Sequence, residues 1–204
     1  MMEYYPDTTL TASAHFNNLP ELKLSLNYMY STTELHQWAD SNKLPINESK
    51  SKVLTITGKR LVSKINDELV VTVEDNWLIN VKSAMLLGLT IDSSLSFDCH
   101  VENLCNKLAS QIGVLSKIRA FLPLKQRLLF YNAIIRLVMS YADIIWPSCD
   151  KDLLYRVLKL QKRTARISLY ADRLAPSVTL FNKLGWIPFY EQCKINKCAI
   201  FISA

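Results

Sequence analysis

Four glycines in 204 residues leave no glycine-rich loop, which excludes nucleotide sites that cradle phosphate on the backbone N–H groups of such a loop. No Cys-x-x-Cys pair occurs among Cys99, Cys105, Cys149, Cys193 and Cys198. Their spacings, including Cys99-His100 with Cys105 and Cys193 with Cys198, do not suit structural zinc. An odd cysteine count without a secretory signal is expected for reduced thiols in the cytoplasm or nucleus. Long apolar runs are missing too. Leu128 to Ile135 and Leu137 to Ala142 are parted by Arg136, and each falls short of the roughly 20 residues that a bilayer span needs. There is no low-complexity tract and no internal repeat, while half of the residues are apolar. The chain is expected to fold around a real core, in one or two domains.

Charge is divided unevenly. Met1 to Asp75 holds 7 Lys and Arg against 10 Asp and Glu, a net of −3, and Asn76 to Ala204 holds 17 against 8, a net of +9, giving the total of +6. A cationic second half points to an anionic partner, nucleic acid first.

The pattern of elements divides at about the same place. Asn17 or Asn18 can cap a helix with Leu19-Pro20-Glu21 in its first turn, continuing through Leu22, Leu26, Met29, Leu35 and Trp38 to near Asp40. Val53 to Thr57, Leu69 to Val73 and Met85 to Ile91 read as three strands, the first stopping at Gly58 and the last at Asp92-Ser93-Ser94. After Ser96 the period becomes helical: Val101, Leu104, Leu108, Ile112, Leu115 and Ile118 recur at intervals of three and four. Pro123 starts a helix over Leu124 to Trp146 that is apolar on nearly every side, and so is expected at the centre, until Pro147 stops it. Asp150 or Asp152 begins a third helix to about Leu169. A shorter helix over Pro176 to Leu184, a Gly185-Trp186-Ile187-Pro188 break and a last helix from about Tyr190 complete the chain. The expected class is α+β: a small first domain over residues 1–95, of a helix plus antiparallel strands, and a mainly α-helical bundle over residues 96–204.

The third helix of the bundle carries the clearest chemistry. At about 100° per residue, Arg156, Lys159, Lys162, Arg163 and Arg166 fall within one sector of roughly 120°, while Leu153, Leu154, Val157, Leu158, Ala165 and Ile167 fill much of the remainder. Like charges at i,i+3 and i,i+4 disfavour a helix by a few tenths of a kcal/mol per pair. A helix shaped only for solubility would intersperse acids, so the stripe is expected to bind phosphate. An acidic protein surface is the other occupant such a face could take.

Tyr4-Tyr5-Pro6-Asp7-Thr8-Thr9-Leu10 resembles the Tyr-x-Asp-Asp-Thr box of a reverse transcriptase with one aspartate lost. If Tyr4 is the box tyrosine, Pro6 replaces the first aspartate and Asp7 is the second; if Tyr5 is, Asp7 is the first and Thr8 replaces the second. The downstream threonines favour the former. Asn47-Glu48-Ser49-Lys50-Ser51, then Leu86-Leu87-Gly88-Leu89-Thr90-Ile91-Asp92, and then the basic bundle follow in order. Taken together, the series is similar to the palm and thumb of non-LTR (LINE-type, jockey-like) retrotransposon reverse transcriptases. Tyr141-Ala142-Asp143 and Tyr170-Ala171-Asp172 repeat the letters of the box, but the first is expected inside a helix and the second at a helix end, without the hairpin this chemistry uses.

That resemblance implies RNA-directed DNA polymerisation on an RNA template and a DNA primer, with Mg²⁺ held by aspartates. By the same resemblance Asp7 is the one matched metal ligand and Lys50 protonates the leaving pyrophosphate. Gly88 belongs to the primer-grip hairpin, where backbone approaches the nucleic acid closely, and the five cations of the third helix belong to the thumb region. The family's other metal-binding aspartate is expected upstream of the box. Two-metal transfer uses several carboxylates, so this stretch of chain is expected to be catalytically inactive alone and to retain nucleic-acid binding at most.

Overall fold

The computed structural model describes residues 51–58, 72–73 and 76–203, together with residues 13, 18, 21, 24 and 41–43. Asp7, Lys50 and most of the expected first helix lie outside the described residues, although Glu21 and Leu24 are helical and Asn18 Nδ2 donates to Glu21 Oε2 at 3.3 Å. The chain is mixed α+β and divides into two units, residues 1–85 with 92–94, and residues 86–91 with 95–204.

In the first unit, β1 (Lys52–Leu54) pairs with β4 (Ile79–Val81), and β2 (Thr72–Val73) pairs with β3 (Asn76–Trp77). The second pairing is antiparallel, as expected. The first is parallel, with Val53 opposite Asn80, because β1 reaches its partner across an intervening segment rather than through a tight turn. The strand expected over Val53 to Thr57 ends early, and Thr57 N donates instead to Ser93 O at 2.9 Å.

The expected strand Met85 to Ile91 is two strands. β5 (Ser83–Leu86) turns back through Leu87 and Gly88 into β6 (Leu89–Asp92). Leu87 and Gly88 both have positive φ, 47° and 79°, which is the backbone a two-residue hairpin turn demands and which glycine adopts without strain. The boundary between the two units runs through this hairpin.

The second unit is built on α1 (Asp98–Ile118), which buries Val101, Leu104, Leu108, Ile112 and Leu115 on the face its periodicity marks. After it come α2 (Leu124–Phe130), a π-helical turn (Tyr131–Arg136), α3 (Leu137–Ser140), α4 (Lys151–Leu169), α5 (Ser177–Leu184) and α6 (Phe189–Ser203). The long central helix expected over Leu124 to Trp146 is therefore broken. It widens at Tyr131 and ends at Ser140, where Tyr141 becomes extended and Ala142 takes φ 51°. Tyr141 is consequently outside a helix, contrary to expectation. Its hydroxyl donates to the Leu87 carbonyl, and its own carbonyl accepts from Trp146 Nε1 at 3.0 Å. Leu129 and Leu137 are exposed, so this segment is not the centre. That position belongs to α4, which packs against α1, α2, α5 and α6.

His100 ties Thr90 of β6 to the bundle core. Its Nδ1 accepts from Thr90 N at 3.4 Å and its ring tilts against Trp146, centroids 5.8 Å apart. Burial holds its pKa below the ordinary 6.5, so on acidification the unfolded chain takes up this proton before the folded one. The contribution is therefore complete above pH 6.5 and declines as pH falls toward the native value. The thermal midpoint is expected to drop between about pH 7.5 and 5.5, and to drop less in His100→Gln, measured by circular dichroism melts across that range.

Candidate nucleic-acid interface

Asp150 starts α4 by accepting from Asp152 N at 3.2 Å, an N-cap worth roughly 1 kcal/mol. Tyr170 ends it in the left-handed region, φ 52°. Between those caps Leu153, Val157, Leu158, Gln161, Thr164, Ala165, Ile167 and Ser168 are buried. The packed face fixes the rotation of the helix and leaves Arg156, Lys159 and Arg163 exposed, with Lys162 half-buried. Among the described residues none of these four cations forms an ion pair. Asp152, one turn before Arg156 on the same sector, is the acid nearest in sequence, and it lies in the first turn, where negative charge suits the helix dipole.

Arg166 stands apart from the other four. It is half-buried, and Nη2 donates to the Ala175 carbonyl at 3.3 Å, which ties it to the loop before α5. Tyr155 lies within the cationic sector, between Lys162 and Lys159, with Lys159 Nζ 4.6 Å and Lys162 Nζ 5.5 Å from its ring centroid. It is 48% exposed. An exposed aromatic beside cations that form no ion pair is a combination found on nucleic-acid-binding surfaces. The helical period places Tyr155 there, although its uncharged side chain adds nothing to the charge pattern.

Gln161 holds the far side of the helix. Its Nε2 donates to Tyr131 Oη at 3.2 Å and to the Ile187 carbonyl at 3.0 Å, and its Oε1 accepts from Phe189 N at 2.9 Å. Every polar atom of the amide is used, and the start of α6 is thereby set against α4. Tyr131, in the π-helical turn, stacks on Trp186 at 3.7 Å and 18°.

Gly88 lies at the hairpin turn, and a Cβ there would sit 3.4 Å from Tyr141 Cε1. The close approach at Gly88 is to the Tyr141 ring. The structure brings Arg156, Lys159, Lys162 and Arg163 onto one face of α4, and Arg166 beside the following loop. Asp7 and Lys50 lie outside the described residues. Among the described residues no group of three or more His, Cys, Asp or Glu side chains could hold a metal ion, and no helix is long and apolar enough to cross a membrane.

No family model and no solved structure matches the chain. It is 26% identical over 165 residues to a protein of Drosophila melanogaster described as "Probable RNA-directed DNA polymerase from transposon X-element". The match takes in 79% of this chain and 17% of that protein, so the similarity to a reverse-transcriptase-type polymerase runs along most of this chain and a small part of its relative.

Proposed function

We propose that the chain is a palm and thumb portion of a LINE-type reverse transcriptase, that it works in the cytoplasm or nucleus, and that it binds primer-template duplex through the cationic face of α4 without sequence preference. The observation that carries the reading is the unpaired set Arg156, Lys159, Lys162 and Arg163 on the solvent side of a helix whose other face is locked into the core. Neutralising phosphates releases condensed counterions, so a face of this kind binds by charge and reads no bases. The sequence similarity to a transposon RNA-directed DNA polymerase supports the same reading.

Polymerisation by these residues alone is not part of the proposal. The degraded box offers Asp7 as its one carboxylate, and Mg²⁺ usually takes one or two carboxylates with substrate phosphates in near-octahedral geometry. No catalytic step is assigned to the described residues.

Binding of a labelled RNA–DNA hybrid, followed by anisotropy from about 50 to 200 mM salt, should give a log–log slope of roughly −3 to −5 for four or five phosphate contacts. The same samples, given magnesium or manganese and nucleotides, should not extend the primer, and neither should a Pro6→Asp variant. A salt-independent affinity would refute the binding face, and incorporation by the unmodified chain would refute the inactivity. An acidic peptide that competes better than nucleic acid of equal charge would reassign the face to a protein partner.

A further inference from the structure

Between the N-terminal half of α4 and the start of α6 lies a groove of about 310 Å³. Its lining is mostly apolar and includes Leu154, Tyr155, Tyr190 and Cys193, with three cations, Lys151, Lys194 and Lys197. No acidic side chain is among the described residues that line it. Glu191 stands next to Tyr190 and accepts from its hydroxyl at 2.9 Å, and Asp152 lies beside Lys151 on α4. The two tyrosines are 48% and 38% exposed, whereas Cys193 is buried.

Tyr155 belongs to both features. It lines the groove, and its ring also receives Lys159 and Lys162 from the cationic face. Lys151 and Lys159 flank it one helical turn to either side. A strand whose phosphates follow α4 would therefore pass the mouth of a mostly apolar groove that two tyrosines help to line.

Two exposed tyrosines with cations around them, Lys194 Nζ lying 5.8 Å from the Tyr190 ring centroid, suit a flat ring that carries negative charge beside it, which is the chemistry of a nucleotide. The volume is at the lower end of the roughly 300–1,000 Å³ typical of ligand pockets, enough for a base and too small for a duplex. A paired base is held in its stack and cannot enter. We infer that this groove is a subsite for one unpaired base of a single strand, stacked on Tyr155 and Tyr190, with Lys151, Lys194 and Lys197 on the flanking phosphates. The inference rests on the proposed binding of nucleic acid by α4 and adds a preference for unpaired bases to it.

The test is anisotropy with a fluorescein-labelled oligothymidylate about twelve nucleotides long and with an abasic strand of equal length and charge, at one salt concentration. The intact chain should prefer the oligothymidylate by about tenfold, in line with the stacking contribution of an aromatic to one base. Tyr155→Ala with Tyr190→Ala should remove that preference, leave affinity for the abasic strand within about twofold, and lower the melting midpoint by no more than a few degrees because both rings are about half exposed. Phenylalanine at both positions should retain the preference. Equal affinity of the intact chain for the two strands, or a preference that survives the double alanine change, overturns the inference while leaving charge-driven binding in place. Failure to bind either strand or the hybrid rejects the proposed function as well. A peptide alternating Glu and Phe that displaces the oligothymidylate from the intact chain, and binds more tightly than it does, overturns the inference in favour of an acidic protein.

Discussion

Replacing Trp146 with alanine is expected to destabilise the helical unit by about 3–5 kcal/mol, lowering its thermal midpoint by roughly 10–25 °C. Trp146 is fully buried, stacks on Phe189 with centroids 5.3 Å apart and an interplanar angle of 15°, and tilts against His100. Truncation leaves a cavity between His100 of α1 and Phe189 of α6. It also removes the indole donor to the Tyr141 carbonyl, and leaving such a group unpaired costs about 1–3 kcal/mol when it stays away from water. Domains of this size hold only about 5–15 kcal/mol in reserve, so the loss takes a large share of the total. Trp146→Phe keeps the ring stack and loses the hydrogen bond, and should cost about 1–3 kcal/mol. Urea titration of both variants by far-ultraviolet circular dichroism separates the two contributions. Equal midpoints for the alanine variant and the intact chain would show that the stack carries no stability.

The surroundings of Trp146 also mark where the sequence is legible and where it is not. The apolar recurrence from Val101 to Leu115 predicts both the existence of α1 and its buried face, because local periodicity and tertiary packing agree there. The segment Leu124 to Trp146 offers no Gly or Pro to stop a helix, so its pattern reads as one rod. The break at Ser140 goes with contacts that periodicity does not encode, Tyr141 to the Leu87 carbonyl and Trp146 to the Tyr141 carbonyl. The cationic face of α4 is legible because a helix fixes the angle of every side chain once its buried face is known. The tie from Arg166 to Ala175 and the groove beside Tyr155 are not, because both depend on where the chain returns after α4. Gln161 sets that return through partners 26 to 30 residues away, and a single glutamine in a helical pattern gives no sign of it.

Changing Arg156, Lys159 and Arg163 together to glutamine should weaken binding of an RNA–DNA hybrid by about three-thousandfold at roughly 50 mM salt. Three lost phosphate contacts make the log–log slope less negative by roughly 2.7, and that salt concentration lies about 1.3 decades below the 1 M reference at which the counterion contribution vanishes. Folding should be unaffected or slightly improved. All three side chains are exposed, and their removal relieves like-charge repulsion at i,i+3 and i,i+4 of a few tenths of a kcal/mol per pair. Binding and stability therefore move independently, which separates a phosphate-binding face from a structural one. Lys107→Gln with Lys117→Gln, exposed positions on α1, removes charge from a different helix and should change affinity far less. Asp152→Asn removes the acid nearest the stripe and should raise affinity. If the α1 pair weakens binding as much per charge as the α4 set does, net charge rather than the geometry of α4 governs the interaction, and the assignment of this face fails.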